Sequence, residues 1–371
     1  MNIAFDAKRA FHNTRGLGNY SRDTIRLLST LYPENKYYLF NPTNKNNIEF
    51  PLSENTKEIL PDSTFGKAFP SLWRSYGICN QIEEVKPSIF HGLSQELPWG
   101  IKKTGVRSVV TMHDAIFMRY PKLYSPSYRA IFIQKNKYAC HAADRIIAIS
   151  EQTKRDIICF FGADEKKISV VYQGCNNIFR DSVSEENKRT ICEKYNLPSR
   201  FLLNVGAIEK RKNAAIIVEA LHRNKLDIPL VIIGKPTPYI DEIKALISKY
   251  QMEQQVTFIH HAETKDLPAI YTLAEIFIYP SVFEGFGIPI LEALCTGTPV
   301  ISSTGSCFEE TGGILSRYIN ALDAGELGDA ISQILNDSSL KENMKKEGLI
   351  FAEKFADQQV AQNLIEVYNS L

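Results

Sequence analysis

The amino-acid sequence predicts an α/β protein with two doubly wound, Rossmann-like domains, each built on a parallel sheet. Three observations lead to this prediction. The chain has 371 residues, which is long for a single hydrophobic core. Short apolar runs rich in Val, Ile and Phe alternate with longer amphipathic stretches, as strands and helices do when parallel sheets are covered on both faces. These runs form two series, separated by a polar segment.

The apolar runs give the predicted strands in chain order. The first series is NIAFD (2–6), YYLFN (37–41), SIFHG (88–92), RSVVTMH (107–113), RIIAIS (145–150) and SVVY (169–172). The second series is FLLNVG (201–206), PLVIIG (229–234), VTFIH (256–260), EIFIYP (275–280) and PVISS (299–303). Apolar residues recur at helical spacing in 212–223, 326–335 and 359–371, which we predict to be helices.

Two polar segments are candidate linkers. Residues 176–190 lack periodicity and lie between the two series, so the domain boundary is expected there. Residues 41–56 are rich in Asn, Pro and Ser and are expected to form an insertion or mobile loop inside the first domain.

Composition indicates an ordinary globular protein, with 44% hydrophobic and 23% charged residues. The net charge of +1 gives no indication of nucleic-acid binding. The N-terminus lacks an apolar region of signal-peptide length, and no stretch approaches 18 apolar residues. No two of the seven cysteines lie within three residues of each other, which excludes a CxxC site and favours reduced thiols. We therefore expect a cytoplasmic protein, with peripheral membrane contact left open.

Residues 281–303 contain the strongest candidate site, since a strand, a glycine loop and a helix start follow one another. Gly285 and Gly287 permit positive φ and close backbone approach, and Pro289 suits the first turn of a helix. At the carboxyl edge of a parallel sheet, amides around Gly287 and Ile288 would face a phosphate. The helix is expected to end near residue 295.

Two glutamates flank this loop eight positions apart. Glu292 lies about one turn into the predicted helix and could accept hydrogen bonds from sugar hydroxyls, while Glu284 could reach a second set. The alternative is a glycine turn with two solvated glutamates. The coincidence of the turn, the proline and both acids favours the functional interpretation.

A basic pair, Arg211 and Lys212, follows the strand that ends at Gly206, at the expected start of a helix near Asn213. Positive charge at a helix N-terminus opposes the helix dipole, and a bound anion such as a diphosphate would relieve this conflict. A solvated basic pair is the alternative. The presence of the glycine loop in the same domain favours anion binding.

Two further candidates lie in the first domain. The stretch RGLGNY (15–20) contains Gly16 and Gly18, but it begins far after the first strand and lacks the third glycine of a dinucleotide fingerprint, so a flexible loop lining a cleft is favoured. His113 ends a strand beside Asp114, where it could donate a hydrogen bond or act as an acid, or be structural. His91 ends another strand and is a weaker candidate.

Several absences restrict the chemistry. The sequence has no GxxxxGK[ST] phosphate loop, no HExxH and no Asp-x-Asp pair. A bound diphosphate would therefore be neutralised by Arg211, Lys212 and backbone amides, and we expect neither a metal nor another cofactor.

These motifs resemble those of the group 1, family 4 retaining glycosyltransferases of the GT-B fold, nearly end to end. Glu284 and Glu292 match the family's E-x7-E motif within FEGFGxPxLEA, and GAIEKRKN (206–213) matches its phosphate-binding segment. RGLGNY is similar to its N-terminal glycine loop, and VVTMHD (109–114) to its histidine strand. The resemblance implies two domains facing across a cleft, at 1–178 and 179–355, with a C-terminal helix at 356–371 returning to the first.

The resemblance also implies roles for the motif residues. Glu292 would hold the ribose, and Glu284 with the backbone of residues 285–288 would hold the donor sugar and distal phosphate. Lys212, with Arg211, would stabilise the departing diphosphate. His113 would contact the donor sugar near its anomeric carbon. Catalysis would thus rest on His113, Glu284 and Lys212, and Gly16 and Gly18 would line the acceptor side.

The implied function is transfer of a hexose, with retention, from a nucleotide-diphosphate sugar to a saccharide or lipid-linked saccharide in bacterial surface polysaccharide synthesis. GDP-mannose is the first expected donor and a UDP-hexose the second. The acceptor could lie at the inner face of the cytoplasmic membrane. Two alternatives remain at this point: a sugar-nucleotide epimerase of the same fold and an NAD-dependent dehydrogenase.

Overall fold

The computed structural model describes residues 1–45, 48 and 50–371, and the chain divides into two compact units. The first unit is Met1–Gln173 with Asp357–Leu371, and the second is Gly174–Ala356. The first unit is interrupted after residue 173, where the prediction was 178, and the second unit ends at residue 356, where the prediction was 355. Residues 46, 47 and 49 of the predicted insertion at 41–56 lie outside the described residues.

The first unit is built on a seven-stranded parallel sheet in the order β3-β2-β1-β4-β5-β6-β7. Its strands are β1 (Asn2–Asp6), β2 (Lys36–Phe40), β3 (Thr56–Ile59), β4 (Ile89–Gly92), β5 (Arg107–Met112), β6 (Arg145–Ala148) and β7 (Ile168–Val170). The helices in its N-terminal part, up to residue 173, are α1 (Lys8–His12), α2 (Gly16–Leu31), α3 (Thr64–Ala68), α4 (Pro70–Leu72), α5 (Ile78–Val85), α6 (Ile116–Arg119), α7 (Pro126–Ala142) and α8 (Glu151–Phe161). A π-helical segment occupies Trp73–Gly77, and short 3-10 helices occupy Ile101–Thr104, Pro121–Leu123 and Glu165–Lys167.

The second unit is built on a six-stranded parallel sheet in the order β10-β9-β8-β11-β12-β13. Its strands are β8 (Leu202–Val205), β9 (Leu230–Ile233), β10 (Val256–Ile259), β11 (Ile276–Tyr279), β12 (Val300–Ser303) and β13 (Arg317–Ile319). Its helices are α9 (Glu185–Tyr195), α10 (Ala215–Arg223), α11 (Tyr239–Lys249), α12 (Leu267–Leu273), α13 (Ile288–Cys295), α14 (Phe308–Gly312), α15 (Ala324–Asn336) and α16 (Ser338–Ala352). Its 3-10 helices are Asn177–Phe179, Lys210–Lys212, Thr264–Asp266 and Glu353–Phe355.

The last helix, α17 (Asp357–Asn369), belongs to the first unit. Its buried face packs on α2, and Tyr368 donates or accepts a 2.7 Å hydrogen bond with Nδ1 of His91. Arg26 of α2 also forms an ion pair with Asp357 at 3.1 Å. These contacts give α17 a place on the first unit.

The predicted fold class is confirmed, with two parallel α/β sheets, and every predicted strand is present. Two edge strands, β3 and β13, were not predicted, because an edge strand needs little apolar sequence and TKEI and RYI have little. The expectation of a linker without periodicity at 176–190 is wrong for residues 185–190, which belong to α9. Ser184 caps α9 by accepting a hydrogen bond from the amide of Asn187, so the polar stretch is an exposed helix.

Strand order determines where ligands can bind. It reverses between β1 and β4 in the first sheet and between β8 and β11 in the second. In open α/β sheets a crevice forms outside the carboxyl ends of the strands at such a switch point, because the connecting loops leave in opposite directions. The two sheets therefore each offer one crevice, and the second is lined by the loops after Val205 and Tyr279.

Candidate functional site

The switch point of the second sheet brings together residues from two predicted motifs. The loop after β8 carries Arg211 and Lys212, and the loop after β11 carries Glu284. β8 and β11 are adjacent parallel strands, with Leu202 beside Ile276. The two loops therefore start side by side, at the edge where the sequence predicted a phosphate and sugar site.

Glu284 is the centre of an ion-pair network. Its Oε2 lies 2.7 Å from Nη1 of Arg211, and its Oε1 lies 3.7 Å from Nζ of Lys212. Tyr279 bridges Glu284 and Lys212, since its hydroxyl donates to Glu284 Oε1 at 2.8 Å and accepts from Lys212 Nζ at 2.9 Å. The hydroxyl of Ser281 adds a 3.2 Å hydrogen bond to Glu284.

Burial and charge act in opposite directions on these groups. Burial raises the pKa of Glu284, but the charges of Lys212 and Arg211 more than offset it and hold that pKa below its usual value. Burial lowers the pKa of Lys212, yet Tyr279 and Glu284 bring it above the usual lysine value. All three side chains are therefore ionised at neutral pH, and the carboxylate neutralises part of a doubly positive surface.

Hydrogen bonds to main-chain groups hold the two loops against each other. The amide of Val282 donates to the carbonyl of Arg211 at 2.9 Å, and Nη1 of Arg211 donates to the carbonyl of Phe283 at 2.6 Å. Ser306 accepts from the amide of Glu284 at 3.1 Å and donates to its carbonyl at 2.8 Å. Ser306 therefore holds the main chain of Glu284 and Arg211 holds its carboxylate, so the folded structure determines where this carboxylate lies.

Gly206 at the end of β8 leaves room for the side chain of Lys212. It has a φ of +146°, and a Cβ there would lie 2.8 Å from Nζ of Lys212. Any larger residue would displace the ammonium group from Tyr279 and Glu284. The basic pair itself lies on the 3-10 turn Lys210–Lys212, and α10 begins only at Ala215, so the predicted helix start near residue 213 is slightly early.

Glu292 lies apart from this network, on α13. Tyr271 donates a hydrogen bond to its Oε2 at 2.9 Å. Burial raises the pKa of Glu292 to about 7, although Tyr271 and Lys212 oppose the rise. This pKa lies close to neutral pH, and a ligand that donates hydrogen bonds to the carboxyl group would favour its ionised form.

Helix α13 starts as predicted and ends at Cys295, near the predicted residue. Gly287 is its N-cap at a φ of +92°, and Pro289 stands in its first turn. The first amides of a helix have no partner inside the helix, so Gly287 and Ile288 offer two N–H groups at this edge of the sheet. Phe286 turns its ring into the core, 5.7 Å from the ring of Phe355, so Gly285 and Phe286 can contribute only backbone to a ligand.

The first unit contains the predicted histidine. His113 follows β5, is 5% exposed, and its Nε2 donates to the carbonyl of Leu93 at 2.8 Å. Burial lowers its pKa to about 4, so the ring is neutral at pH 7 and Nδ1 is the acceptor nitrogen. His91 has both ring nitrogens engaged, by Tyr368 and Thr111, and is structural.

The glycine stretch 15–20 is not the flexible loop expected from the sequence. Helix α2 begins at Gly16, and Gly18 lies buried in its first turn. A Cβ on Gly18 would lie 1.7 Å from the carbonyl oxygen of Asn13, so the glycine allows the end of α1 to pack on α2. At Gly16 a Cβ would meet no atom within 4 Å. Gly18 is therefore required for the packing of the two helices, whereas a larger side chain would fit at Gly16.

Tyr279 and Tyr271 were not identified from the sequence. Both are buried, and each gives a hydroxyl to one of the two motif glutamates. Tyr279 is visible only as the last residue of an apolar strand, and Tyr271 lies on a different element, α12. Within the described residues, no group of three His, Cys, Asp or Glu converges as a metal site, and no helix has the length and apolar character needed to cross a membrane.

Two family models match this chain and between them include all of these site residues except Gly16 and Gly18. Residues 187–350 match "Glycosyl transferases group 1", and residues 41–177 match "Glycosyltransferase Family 4". The chain is a group 1, family 4 glycosyltransferase. Arg211, Lys212, Glu284 and Glu292 all lie in the first of these regions, and His113 lies in the second.

The relatives of this glycosyltransferase include enzymes named for the transfer of mannose and of N-acetylgalactosamine. It is 25% identical to the O-antigen chain mannosyltransferase B of Escherichia coli, over 100% of both chains. It is 26% identical to a Campylobacter jejuni N-acetylgalactosaminyltransferase whose name gives a diphospho-undecaprenol-linked saccharide as acceptor, over 60% of each chain. The structure of Anabaena HepE with UDP and glucose superposes with a TM-score of 0.76 at 17% identity, over 100% of both chains.

These findings confirm the predicted family, the fold class and the glycosyltransferase class, while retention of configuration and independence of metal stay predictions. The whole-chain likeness to HepE supports the GT-B class. The structure also argues against the dehydrogenase alternative. A dinucleotide fingerprint follows its strand directly, whereas α1 lies between β1 and the glycine stretch that begins at Gly16. Both matched families are glycosyltransferases, which leaves the epimerase alternative without support.

Proposed function

We propose that the enzyme transfers mannose from GDP-mannose, with retention of anomeric configuration, to a saccharide or lipid-linked saccharide acceptor. A UDP-hexose is the second candidate donor. The name of the full-length relative supports mannose, and the name of the Campylobacter relative supports a lipid-linked acceptor. The reaction would take place in the cytoplasm, with the enzyme in peripheral contact with the inner face of the membrane when the acceptor is lipid-linked.

The observation that carries this proposal is the Arg211–Glu284–Lys212 network. Among the side chains that are less than one fifth exposed, two cations face one carboxylate, which leaves one buried positive charge in excess; the second acid near Arg211, Glu209, is 42% exposed. A donor diphosphate placed there would take over hydrogen bonds of Arg211 and Lys212, because phosphate oxygens accept charge-assisted hydrogen bonds. Glu284 would then be released to accept from hydroxyls of the donor sugar.

The same exchange assigns a catalytic task to the cations. Negative charge on the departing diphosphate grows as the glycosidic bond breaks, so fixed positive charge stabilises the transition state more than the bound donor. Lys212 and Arg211 would supply that charge in place of a metal, and we propose that turnover requires neither a metal nor another cofactor.

The remaining donor contacts follow from the geometry of α13. We propose that ionised Glu292 accepts hydrogen bonds from the ribose hydroxyls. The backbone of residues 285–288 would hold the sugar and the distal phosphate, with the amides at the helix N-terminus directed at the phosphate. Since Gly285 and Phe286 are buried, this contact uses main-chain atoms.

His113 would take part as a hydrogen-bond acceptor. Its Nε2 is committed to Leu93 and its lowered pKa keeps it neutral, so a role as general acid is disfavoured. We propose that Nδ1 accepts a hydrogen bond from a donor-sugar hydroxyl near the anomeric carbon. Gly16 and Gly18 would shape the acceptor side through the helix they begin.

A thermal-shift panel of nucleotide sugars, followed by product analysis, tests the proposal. A ligand that binds only the native state raises its stability, by about 2.7 kcal/mol at a concentration of 100 Kd. GDP-mannose should raise Tm most, and the anomeric carbon of the transferred sugar should keep its configuration by NMR. Stabilisation by NAD alone, or an inverted product, would contradict the proposal.

A further inference from the structure

The strand order of the first sheet reverses between β1 and β4, and two cations lie in the segment that follows β1. Lys8 and Arg9 come two and three residues after Asp6, the last residue of β1, and we name them the first-unit cation pair. Both side chains are only partly exposed. The second unit likewise places Arg211 and Lys212 after β8, the strand at its switch point.

The two crevices differ in how their charges are balanced. In the second unit, Glu284 from the neighbouring strand's loop pairs with both cations. In the first unit, the carboxylates at the corresponding places are Asp6, at the end of β1, and Glu96, after β4. Both are already taken by other cations.

Asp6 and Glu96 are held by Arg74 and Lys135. Arg74 Nη2 lies 2.5 Å from Asp6 Oδ2, and its Nη1 lies 2.8 Å from Glu96 Oε2. Lys135 Nζ lies 2.9 Å from the same Glu96 oxygen. Two carboxylates are thus matched by two cations, and the first-unit cation pair is in excess.

Among the described residues, neither Lys8 nor Arg9 has a carboxylate oxygen within ion-pair distance of its side chain. Nε of Arg9 is shielded from water and has no hydrogen-bond acceptor there. Burial, followed by the charges of Arg74 and Arg9, lowers the pKa of Lys8, although the charges of Asp6 and Glu96 oppose the change. Buried donors are normally satisfied, and like charges are normally kept apart, so this arrangement costs stability unless an anion binds.

The fold holds the pair in place. Gly18 lets α1 pack closely on α2, and Arg22 of α2 donates to the carbonyls of Ala10 at 2.8 Å and Asn13 at 2.9 Å. The charge of Arg9 also contributes, after burial, to lowering the pKa of His113, so the pair lies within electrostatic range of the predicted catalytic histidine.

We propose that Lys8 and Arg9 bind the phosphate or diphosphate group of the sugar acceptor. This inference rests on the proposed function, since it presumes an acceptor. The donor diphosphate already has a basic pair in the second unit. A second anion-binding crevice in the first unit therefore suits the other substrate, and it restricts that substrate to phosphate-bearing saccharides such as those linked to a lipid through a diphosphate.

Calorimetry with inorganic pyrophosphate tests the subsite without requiring turnover. The full chain carrying Arg211→Gln and Lys212→Gln serves as background, because it lacks the basic pair of the second unit. This background should still bind pyrophosphate, and adding Lys8→Gln with Arg9→Gln should weaken binding on the order of tenfold to a hundredfold. The matched control, Lys102→Gln with Lys103→Gln, removes the same charge from exposed positions of the same unit and should leave binding unchanged.

Three results would overturn the subsite: a background that binds no pyrophosphate, a quadruple variant that binds it equally well, or a control that loses it equally. Thermal unfolding guards against misfolding, since Lys8→Gln with Arg9→Gln should keep or raise Tm by removing unpaired charge. A lowered Tm would instead indicate a structural role and contradict the proposal.

Kinetics in the otherwise unaltered chain distinguish acceptor from donor. Lys8→Gln with Arg9→Gln should raise KM for a diphosphate-linked acceptor about tenfold or more and leave donor KM unchanged. A raised donor KM with an unaffected acceptor KM would assign the cations to the donor and sink the proposal. If the unaltered enzyme transfers no sugar at all, the proposed function fails, whereas the pyrophosphate measurement still decides the subsite.

Discussion

Arg211 and Glu284 meet at the switch point of the second sheet, with Nη1 of the arginine 2.7 Å from Oε2 of the glutamate. They come from loops on either side of the reversal in strand order, 73 positions apart in number. The carboxylate predicted to hold the sugar therefore also neutralises the cations predicted to hold the diphosphate. Substitutions at either position must be interpreted with this coupling in mind.

Replacing Glu284 should lower the stability of the protein without weakening its binding of the nucleotide diphosphate. Glu284→Gln leaves Arg211 and Lys212 without their carboxylate, and breaking a buried pair costs roughly 3 kcal/mol of unfolding free energy. Binding of the free nucleotide diphosphate should stay unchanged or become tighter, because the internal competitor for the cations is gone. Transfer from the intact donor should fall.

Calorimetry and chemical denaturation check this prediction, with Glu209→Gln as the control. Glu209 also contacts Arg211, at 3.4 Å, but is 42% exposed, so its loss should have little effect on either measurement. Weaker diphosphate binding in Glu284→Gln would show that the carboxylate does not compete with the ligand.

Lys212→Ala should slow the chemical step more than it weakens donor binding. The ammonium group stabilises charge that grows in the transition state, and losing one such donor lowers kcat on the order of a hundredfold. Lys210→Ala is the control, since Lys210 lies in the same turn but is 71% exposed and pairs only weakly with Glu242. An unchanged kcat with a raised donor KM would indicate uniform binding instead.

Gly206→Ala should resemble Lys212→Ala in kinetics. The added methyl group would lie 2.8 Å from Nζ of Lys212 and push the ammonium away from Tyr279. We expect a lowered kcat while Arg211 continues to bind the diphosphate. The double variant Gly206→Ala with Lys212→Ala should be no slower than Lys212→Ala alone, and additive losses would contradict displacement as the cause.

Nucleotide binding should depend on pH through Glu292. Burial raises the pKa of this carboxyl to about 7 in the free enzyme, and ribose hydroxyls would bind its ionised form. The pKa should therefore fall on binding, protons should be released, and affinity should weaken as pH drops from about 8 to 6. Glu292→Gln, measured alongside, retains only the titration of the nucleotide's own phosphate, so an identical pH profile in both proteins would reject the ribose assignment.

Chelation should leave turnover intact. The sequence has no Asp-x-Asp pair, and Arg211 with Lys212 can carry the charge of the diphosphate. Activity in EDTA should match activity with added manganese. Loss of activity in chelator, with recovery on adding manganese, would defeat the argument that the cations replace a metal.

The sequence alone determined the fold class, both strand series and the start of α13. Apolar runs identify buried strands because parallel strands are covered on both faces, and Gly287 with Pro289 dictates a helix start through local backbone preferences. The motif spacing identified Glu284, Glu292 and the basic pair as candidates, since spacing is a property of the chain. Local rules failed at Gly18, whose role depends on a carbonyl from another helix.

Only the tertiary structure decided which of these residues act together. The pairing of Glu284 with Arg211 and Lys212, the hydroxyls of Tyr279 and Tyr271, and the excess charge of Lys8 and Arg9 all depend on the order of strands in the sheet. That order is set by packing between elements distant in sequence, and no local pattern records it. The raised pKa of Glu292 and the lowered pKa of His113 have the same origin, because burial is a property of the folded chain rather than of the residue.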